Sequence, residues 1–355
     1  MKRVLGIFVP TRNAQRALKL LKEMKLKLEG FQLQRDAETV GIPLAYSPSP
    51  DDQRILNREL GSFRIHEAAF QPYPSSPANL RDAVRSTLPP NLTSQLPRSF
   101  DIIGDIAIID PSHELENYFP EIGKGILQVN PHVRLVLRKS GDVVGKFRTR
   151  ELRVVAGSGG TETIYREFHC QYHLDVSSVY FNPRLSHERW RVAQQVKANE
   201  VVVDMFAGVG PYSILIAKLQ PHSRVYAVDI NPSAIKYLKE NILTNAVADR
   251  VIPLSGDANE LSRSVLQNTA ERVIMNLPSE APHYMDAALH VLKSTGGLVH
   301  FYQFTQRDES LDSVKEQFRK SVEARKREVQ SFNYGRVIRE IAPNRVQVAL
   351  DALIR

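Results

Sequence analysis

From Glu200 onward the chain repeats one pattern: a short apolar run, a turn led by glycine or aspartate, then an amphipathic helix. "EVVVDMFAGVG" leads into "PYSILIAKLQ" and "RVYAVDI" into "NPSAIKYLKENILTN"; the runs "RVIPLSGDA", "RVIMNLP" and "GGLVHFYQF" follow. Near-continuous β-branched runs of this kind suit strands buried on both faces, and their alternation with helices predicts a parallel sheet covered on both sides. The expected fold class is α/β, doubly wound. The final stretch "GRVIREIAPNRVQVALDALI" breaks the rhythm and reads as two strands turned at Pro343 and Asn344, an antiparallel edge hairpin.

Ligands of such a sheet bind beyond the carboxyl ends of its strands, and that is where the sequence puts its side-chain acceptors. Asp204 ends the first strand ahead of Gly208 and Gly210, where a backbone without Cβ can approach a ligand closely. The third glycine of the dinucleotide fingerprint is missing, which favours a ligand without a pyrophosphate. Asp229 ends the second strand, about twenty residues on, where a carboxylate can accept both hydroxyls of a ribose. Asp257 follows the third, placed for the exocyclic amine of an adenine. Asn276 ends the fourth. Its planar amide, with the carbonyl of Leu277, can accept hydrogen bonds from a base, while Pro278 fixes the turn and donates none. The plainer alternative makes the glycines ordinary turn residues and Asp229 a helix cap.

The remaining chain divides by composition. Residues 1–70 offer the strand "RVLGIFV" and the helix "TRNAQRALKLLKEMK", with Thr11 or Asn13 as cap, and read as a small α/β domain. Residues 71–97 hold six prolines and read as an extended linker with at most one short helix. Residues 98–178, with "FDIIGDIAII", "HVRLVLRK", "LRVVAG" and "TIYREFHCQYHLDV", suggest a mixed α+β domain, and residues 179–355 form the doubly wound one. The net charge of +8 favours an anionic partner, nucleic acid first. One cysteine excludes an internal disulfide and a cysteine-cluster zinc site; the ten histidines show no metal spacing, so no metal is expected. No apolar run approaches a membrane span, and no signal peptide is evident. A cytoplasmic monomer without membrane contact is the expectation.

The series Asp204, Gly208, Gly210, Asp229 and Asp257 resembles the class I S-adenosylmethionine-dependent methyltransferases, whose Rossmann-like sheet has seven strands. "NLP" resembles the Asn-Pro-Pro-Tyr signature of nitrogen-modifying members, with Leu277 in the second place and Ser279 where an aromatic would stand. Together with "YFNPRLSHERWR" and "GKFRTRELRVVAG", these residues resemble the archaeal and eukaryotic tRNA (guanine-N1)-methyltransferases acting at tRNA position 37, over nearly the whole chain. The resemblance implies S-adenosyl-L-methionine as cofactor and tRNA as partner, gripped at the anticodon loop and, by the N-terminal domain, at the elbow. It implies Glu188 as the base that removes the N1 proton, its basicity raised by partial burial. Arg148 would stabilise charge on O6, with Arg150 close enough to confuse the assignment. Arg189, Phe206, Ile230 and Ala258 would join the acidic series and Asn276 around the cofactor, and Tyr180 or Phe181 would cover the extruded base. Read without the resemblance, Glu188 and Arg191 are a helical surface pair and Arg148 a solvated cation. Neighbouring activities are a bifunctional enzyme that also methylates a tricyclic wyosine precursor and an aminocarboxypropyltransferase; a non-catalytic tRNA-binding module is the alternative of another class.

Overall fold

The computed structural model describes residues 1–72, 77–97, 99–141 and 151–355, which divide into two compact units, Met1–Asn79 and Leu80–Arg355. The first unit runs β1 (Lys2–Pro10), α1 (Ala14–Glu23), β2 (Gln34–Arg35), β3 (Thr39–Pro43), α2 (Pro50–Leu60) and β4 (Arg64–Phe70), with sheet order β2-β3-β1-β4. Ile7 and Val9, alternate residues of β1, are buried with Ala17 and Leu21, which lie one turn apart on α1. Neither expected cap of α1 forms: the Asn13 amide donates to the carbonyl of Leu60 at 2.9 Å, tying α1 to the end of α2. Ser49 and Asp52 cap α2 reciprocally, as a serine three residues before an acid can.

The second unit opens with the short helix α3 (Leu80–Ala83). This corrects the expectation of a linker across residues 71–97: Val84, Leu88 and Leu96 are buried against Ile109, Ile122 and Ile126. Proline content marked an irregular backbone but could not show that its leucines, recurring at helical spacing, cover a sheet. That sheet has the order β5 (Asp101–Ile103), β6 (Ile106–Ile109), β7 (Leu135–Lys139), β8 (Leu152–Gly157), with α4 (Phe119–Val129) between β6 and β7 making their pairing parallel. A separate hairpin, β9 (Glu162–Glu167) and β10 (Cys170–Asp175), turns through Phe168 and His169 at φ of 45° and 61°. Its tip is held by Trp190, whose ring stacks on Phe168 at 4.6 Å.

Trp190 lies on α5 (Ser186–Gln195), which leads into β11 (Val201–Asp204), α6 (Pro211–Leu219), β12 (Arg224–Asp229), α7 (Pro232–Thr244), β13 (Val251–Ser255), α8 (Ala258–Ser262), β14 (Arg272–Met275), α9 (Met285–Val291), β15 (Gly297–Gln306), α10 (Leu311–Glu323), β16 (Val329–Ala342) and β17 (Arg345–Ile354). Among the described residues these strands form a seven-stranded sheet of order β13-β12-β11-β14-β15-β17-β16, parallel except where β17 runs antiparallel to both neighbours. Successive strand residues feed opposite layers. Val202, Val225 and Ile274 pack with α5, α6 and α7, whereas Val203, Val228 and Val273 pack with α9 and α10. No helix among the described residues is long and apolar enough to cross a membrane.

Two buried asparagines attach the hairpin to this domain. Asn241 accepts from the His173 N–H at 2.7 Å and donates to the His173 carbonyl at 3.0 Å; one turn later Asn245 does the same for Gln171, at 2.9 and 2.7 Å. The amides thus stand in for a neighbouring strand along β10. Asn241→Leu would leave the His173 peptide groups without partners, and is expected to lower the unfolding free energy in urea by about 2–4 kcal/mol. A loss below about 1 kcal/mol would show that these rungs are replaceable.

Candidate active site at the C-terminal ends of the strands

The two glycines after β11 do different work. Gly210, at φ 91°, caps α6, and a Cβ there would lie 2.5 Å from Leu238 Cδ1, so its smallness serves packing. Gly208, at φ 55°, meets on its Cβ side, among the described residues, only the Tyr180 carbonyl at 3.7 Å. Its N–H donates to Asp229 at 2.7 Å, and the other Asp229 oxygen accepts from the Asn231 N–H at 2.8 Å. Asp229 thereby shapes the glycine turn and remains half-buried at the rim with Ile230. Asp257 caps α8 through the Asn259 N–H at 2.9 Å, ahead of the buried Ala258. Sequence reasoning missed Tyr284, whose ring meets Phe206 edge-on at 4.9 Å. Burial raises its hydroxyl above the usual range, and the charges of Asp257 and Glu280 add to that.

Asp204 is corrected from a rim acceptor to a support beneath the turn. It is 1% exposed, with one oxygen accepting from the Ser213 hydroxyl at 2.8 Å and the Phe206 N–H also acting on the carboxyl. Burial pushes its carboxyl up to about 7 against the opposing Ser213 bond, from an ordinary 3.8. Between those values the folded protein keeps a proton that the unfolded chain releases. This contribution to stability is therefore complete below about pH 4 and lost as pH rises through 7. Asp204→Asn is expected to remove a slope of about 1.4 kcal/mol per pH unit from urea unfolding in that window; an unaltered slope would assign the titration elsewhere.

At the end of β14 the Asn276 amide is half-buried and makes no hydrogen bond with any described residue. Its neighbours are less free than the sequence suggested. The Leu277 carbonyl already accepts from the N–H groups of Glu280 and Ala281, at 2.9 and 2.8 Å, so it is not an open acceptor for a base. The Pro278 carbonyl accepts from Phe304 N–H at 3.0 Å, which ties the turn to β15. Met275 pairs with Phe301, and one residue beyond that pair stand Asn276 and Tyr302.

Tyr302 brings in Glu188. The tyrosine hydroxyl donates to Glu188 Oε1 at 2.7 Å, and Arg191 donates to Oε1 and Oε2 at 2.7 and 2.9 Å. Glu188 is 7% exposed, in the first turn of α5. It is a buried ion-paired carboxylate, neither a surface pair nor a group left to burial alone. Arg189, expected beside the cofactor, is occupied elsewhere: it holds both oxygens of Glu167 at 2.6 Å and the Asn182 carbonyl at 3.0 Å, 1% exposed. Phe181 packs between this guanidinium and Tyr165, which withdraws it from base stacking. Tyr180, 53% exposed beside the glycine turn, stays available. Arg148 and Arg150 lie outside the described residues. Among the described residues no three His, Cys, Asp or Glu side chains gather as a metal site requires.

Residues 163–330 match the profile of the TRM5/TYW2 methyltransferase domain, and residues 80–161 that of the TYW2 N-terminal domain. Trm5b of Pyrococcus abyssi, a tRNA (guanine(37)-N(1))-methyltransferase, is 37% identical over 98% of each chain. The chain belongs to the TRM5/TYW2 methyltransferase family. Its cofactor is S-adenosylmethionine. Taw21 of Saccharolobus solfataricus, a tRNA 4-demethylwyosine(37)-methyltransferase, is 34% identical over 72% of this chain and 93% of its own. Among solved structures, the complex of aTrm5 with tRNALeu superimposes with a TM-score of 0.73 at 31% identity, over 99% of this chain and all of that one. The chemistry of the rim suits the family's cofactor. Asp229 and Asp257, which among the described residues bond only to backbone N–H groups, fit a cationic nucleoside and would repel a pyrophosphate.

Proposed function

We propose that this enzyme transfers a methyl group from S-adenosylmethionine to N1 of guanosine at position 37 of tRNA. The reading rests above all on the amide of Asn276, which bonds to no other described residue and stands next in register to the tyrosine that holds Glu188. The bound cofactor supplies an electrophilic methyl on a sulfonium. Gly208 lets it approach the backbone, Asp229 and Ile230 take its ribose, and Asp257, Ala258 and Phe206 take its adenine. Asn276 accepts from the N–H edge of guanine, and the Pro278 turn keeps that amide aimed.

Guanine N1 carries a proton at neutral pH, so a base must remove it. A carboxylate offers about four acceptor directions. Described residues fill three in Glu188, two on Oε1 and one on Oε2. The direction they leave is on Oε2, and there Glu188 receives the N1 proton. Arg148 carries the charge that develops on O6, and Tyr180 covers the extruded base. The anticodon loop is bound at this rim and the elbow by residues 1–70; the net charge of +8 and the likeness to a tRNA complex support the partner.

The likeness to Taw21, together with the exposed Ser279 in place of an aromatic, favours a second reading in which a tricyclic guanosine derivative also enters. Nucleoside mass spectrometry distinguishes them. Incubation with cofactor should give N1-methylguanosine on unmodified tRNA; a methyl only on tRNA carrying the tricyclic precursor would replace the first reading with the second. A bulkier group from the same cofactor would indicate aminocarboxypropyl transfer, and no product on either RNA would leave a binding module.

A further inference from the structure

Arg191 is shared between two buried carboxylates. Its Nη2 donates to Glu188 Oε1 at 2.7 Å and to Asp351 Oδ1 at 3.0 Å, while Nη1 reaches Asp351 Oδ2 at 2.5 Å. The ring of Tyr334 lies 3.8 Å beneath the guanidinium. Asp351 is 1% exposed and also accepts from Gln195 at 3.2 Å and from His300 Nδ1 at 2.7 Å. On its other side His300 meets a donor, Arg272 Nη1 at 2.8 Å from Nε2, which fixes the neutral imidazole with its proton on Nδ1. The groups facing Glu188 are thus Arg191 from its own helix, Tyr302 from β15, Tyr212 from α6 through its 3.3 Å bond to Tyr302, and Asp351 from β17, backed by His300.

We propose that Asp351 and Tyr302 are positioning residues that act in opposite senses on how readily Glu188 takes a proton. Asp351 competes with Glu188 for the Arg191 guanidinium and adds a like charge nearby, so it opposes that cation's hold on the Glu188 carboxylate. The Tyr302 hydroxyl stabilises the anion and makes it the weaker one. Neither residue touches substrate; both work through the carboxylate. The proposal rests on Glu188 being the base.

The test is the pH profile of single-turnover methyl transfer to unmodified tRNA, with cofactor affinity measured by calorimetry on each variant as a check of the fold. Asp351→Asn should move the acid limb to lower pH by about one unit and lower the plateau. Tyr302→Phe, which removes a single oxygen, should move the limb upward. Shifts in the same direction, or none, while Glu188→Gln still abolishes the limb, would overturn the proposal alone. A limb that survives Glu188→Gln would remove the base and this proposal with it. Should Asp351→Asn fail to fold, the upward shift in Tyr302→Phe decides.

Discussion

Replacing Glu188 with glutamine is expected to slow single-turnover methyl transfer about 100-fold, flatten its rise with pH, and leave affinity for S-adenosylmethionine almost unchanged. Glutamine keeps the shape and still accepts from the Tyr302 hydroxyl, but it cannot take a proton from N1. Arg191 loses an acceptor at one edge and remains held by Asp351 and Tyr334, so the surrounding packing should survive. A factor of 100 corresponds to about 2.7 kcal/mol of barrier, within what one positioned base supplies. A variant that retains the wild-type pH slope would show that another group receives the proton.

The largest expected loss of stability is at Arg272, which joins the same buried network through His300. It is 4% exposed and bonds both oxygens of Glu200, at 2.9 and 3.1 Å, together with His300 and the Gln195 carbonyl. Arg272→Met should destabilise the protein by about 3–5 kcal/mol, because Glu200 is left charged and buried without its cation, keeping the Lys197 N–H at 2.7 Å. Adding Glu200→Gln should restore part of that. Additive losses in the double variant, measured in urea, would show that the two side chains are not energetically coupled.

The parallel strands and the antiparallel hairpin were legible in the sequence because buried parallel strands leave continuous β-branched runs, and "RVIREIAPNRVQVALDALI" broke that habit. The strand-end positions of Asp229 and Asn276 were legible too, since such residues follow the apolar run immediately. What each side chain meets was not. The Leu277 carbonyl looked open because the turn that consumes it is formed by backbone N–H groups three and four residues later. Arg189 and Glu188 are adjacent in "SHERWR", yet successive helical positions point about 100° apart, one toward Glu167 and the other toward Tyr302. A usable signal was overlooked: His300 in "LVHFY" and Asp351 in "VALDALI" are polar groups inside apolar strands, where they need partners. Asn241 and Asn245 left less trace, because their partners are main-chain groups of a distant hairpin. The meeting of Tyr284 with Phe206 was visible only once the turn had folded.

The order of the seven strands gives the site a division of labour. In the proposed reaction the donor is met by loops following β11, β12 and β13, whereas proton removal and base alignment draw on β14, β15 and β17 on the other side of the first strand. Remodelling one flank therefore leaves the other standing. A lineage built on this sheet could change which nucleoside it accepts, or which carbon it moves, while inheriting the same grip on the donor.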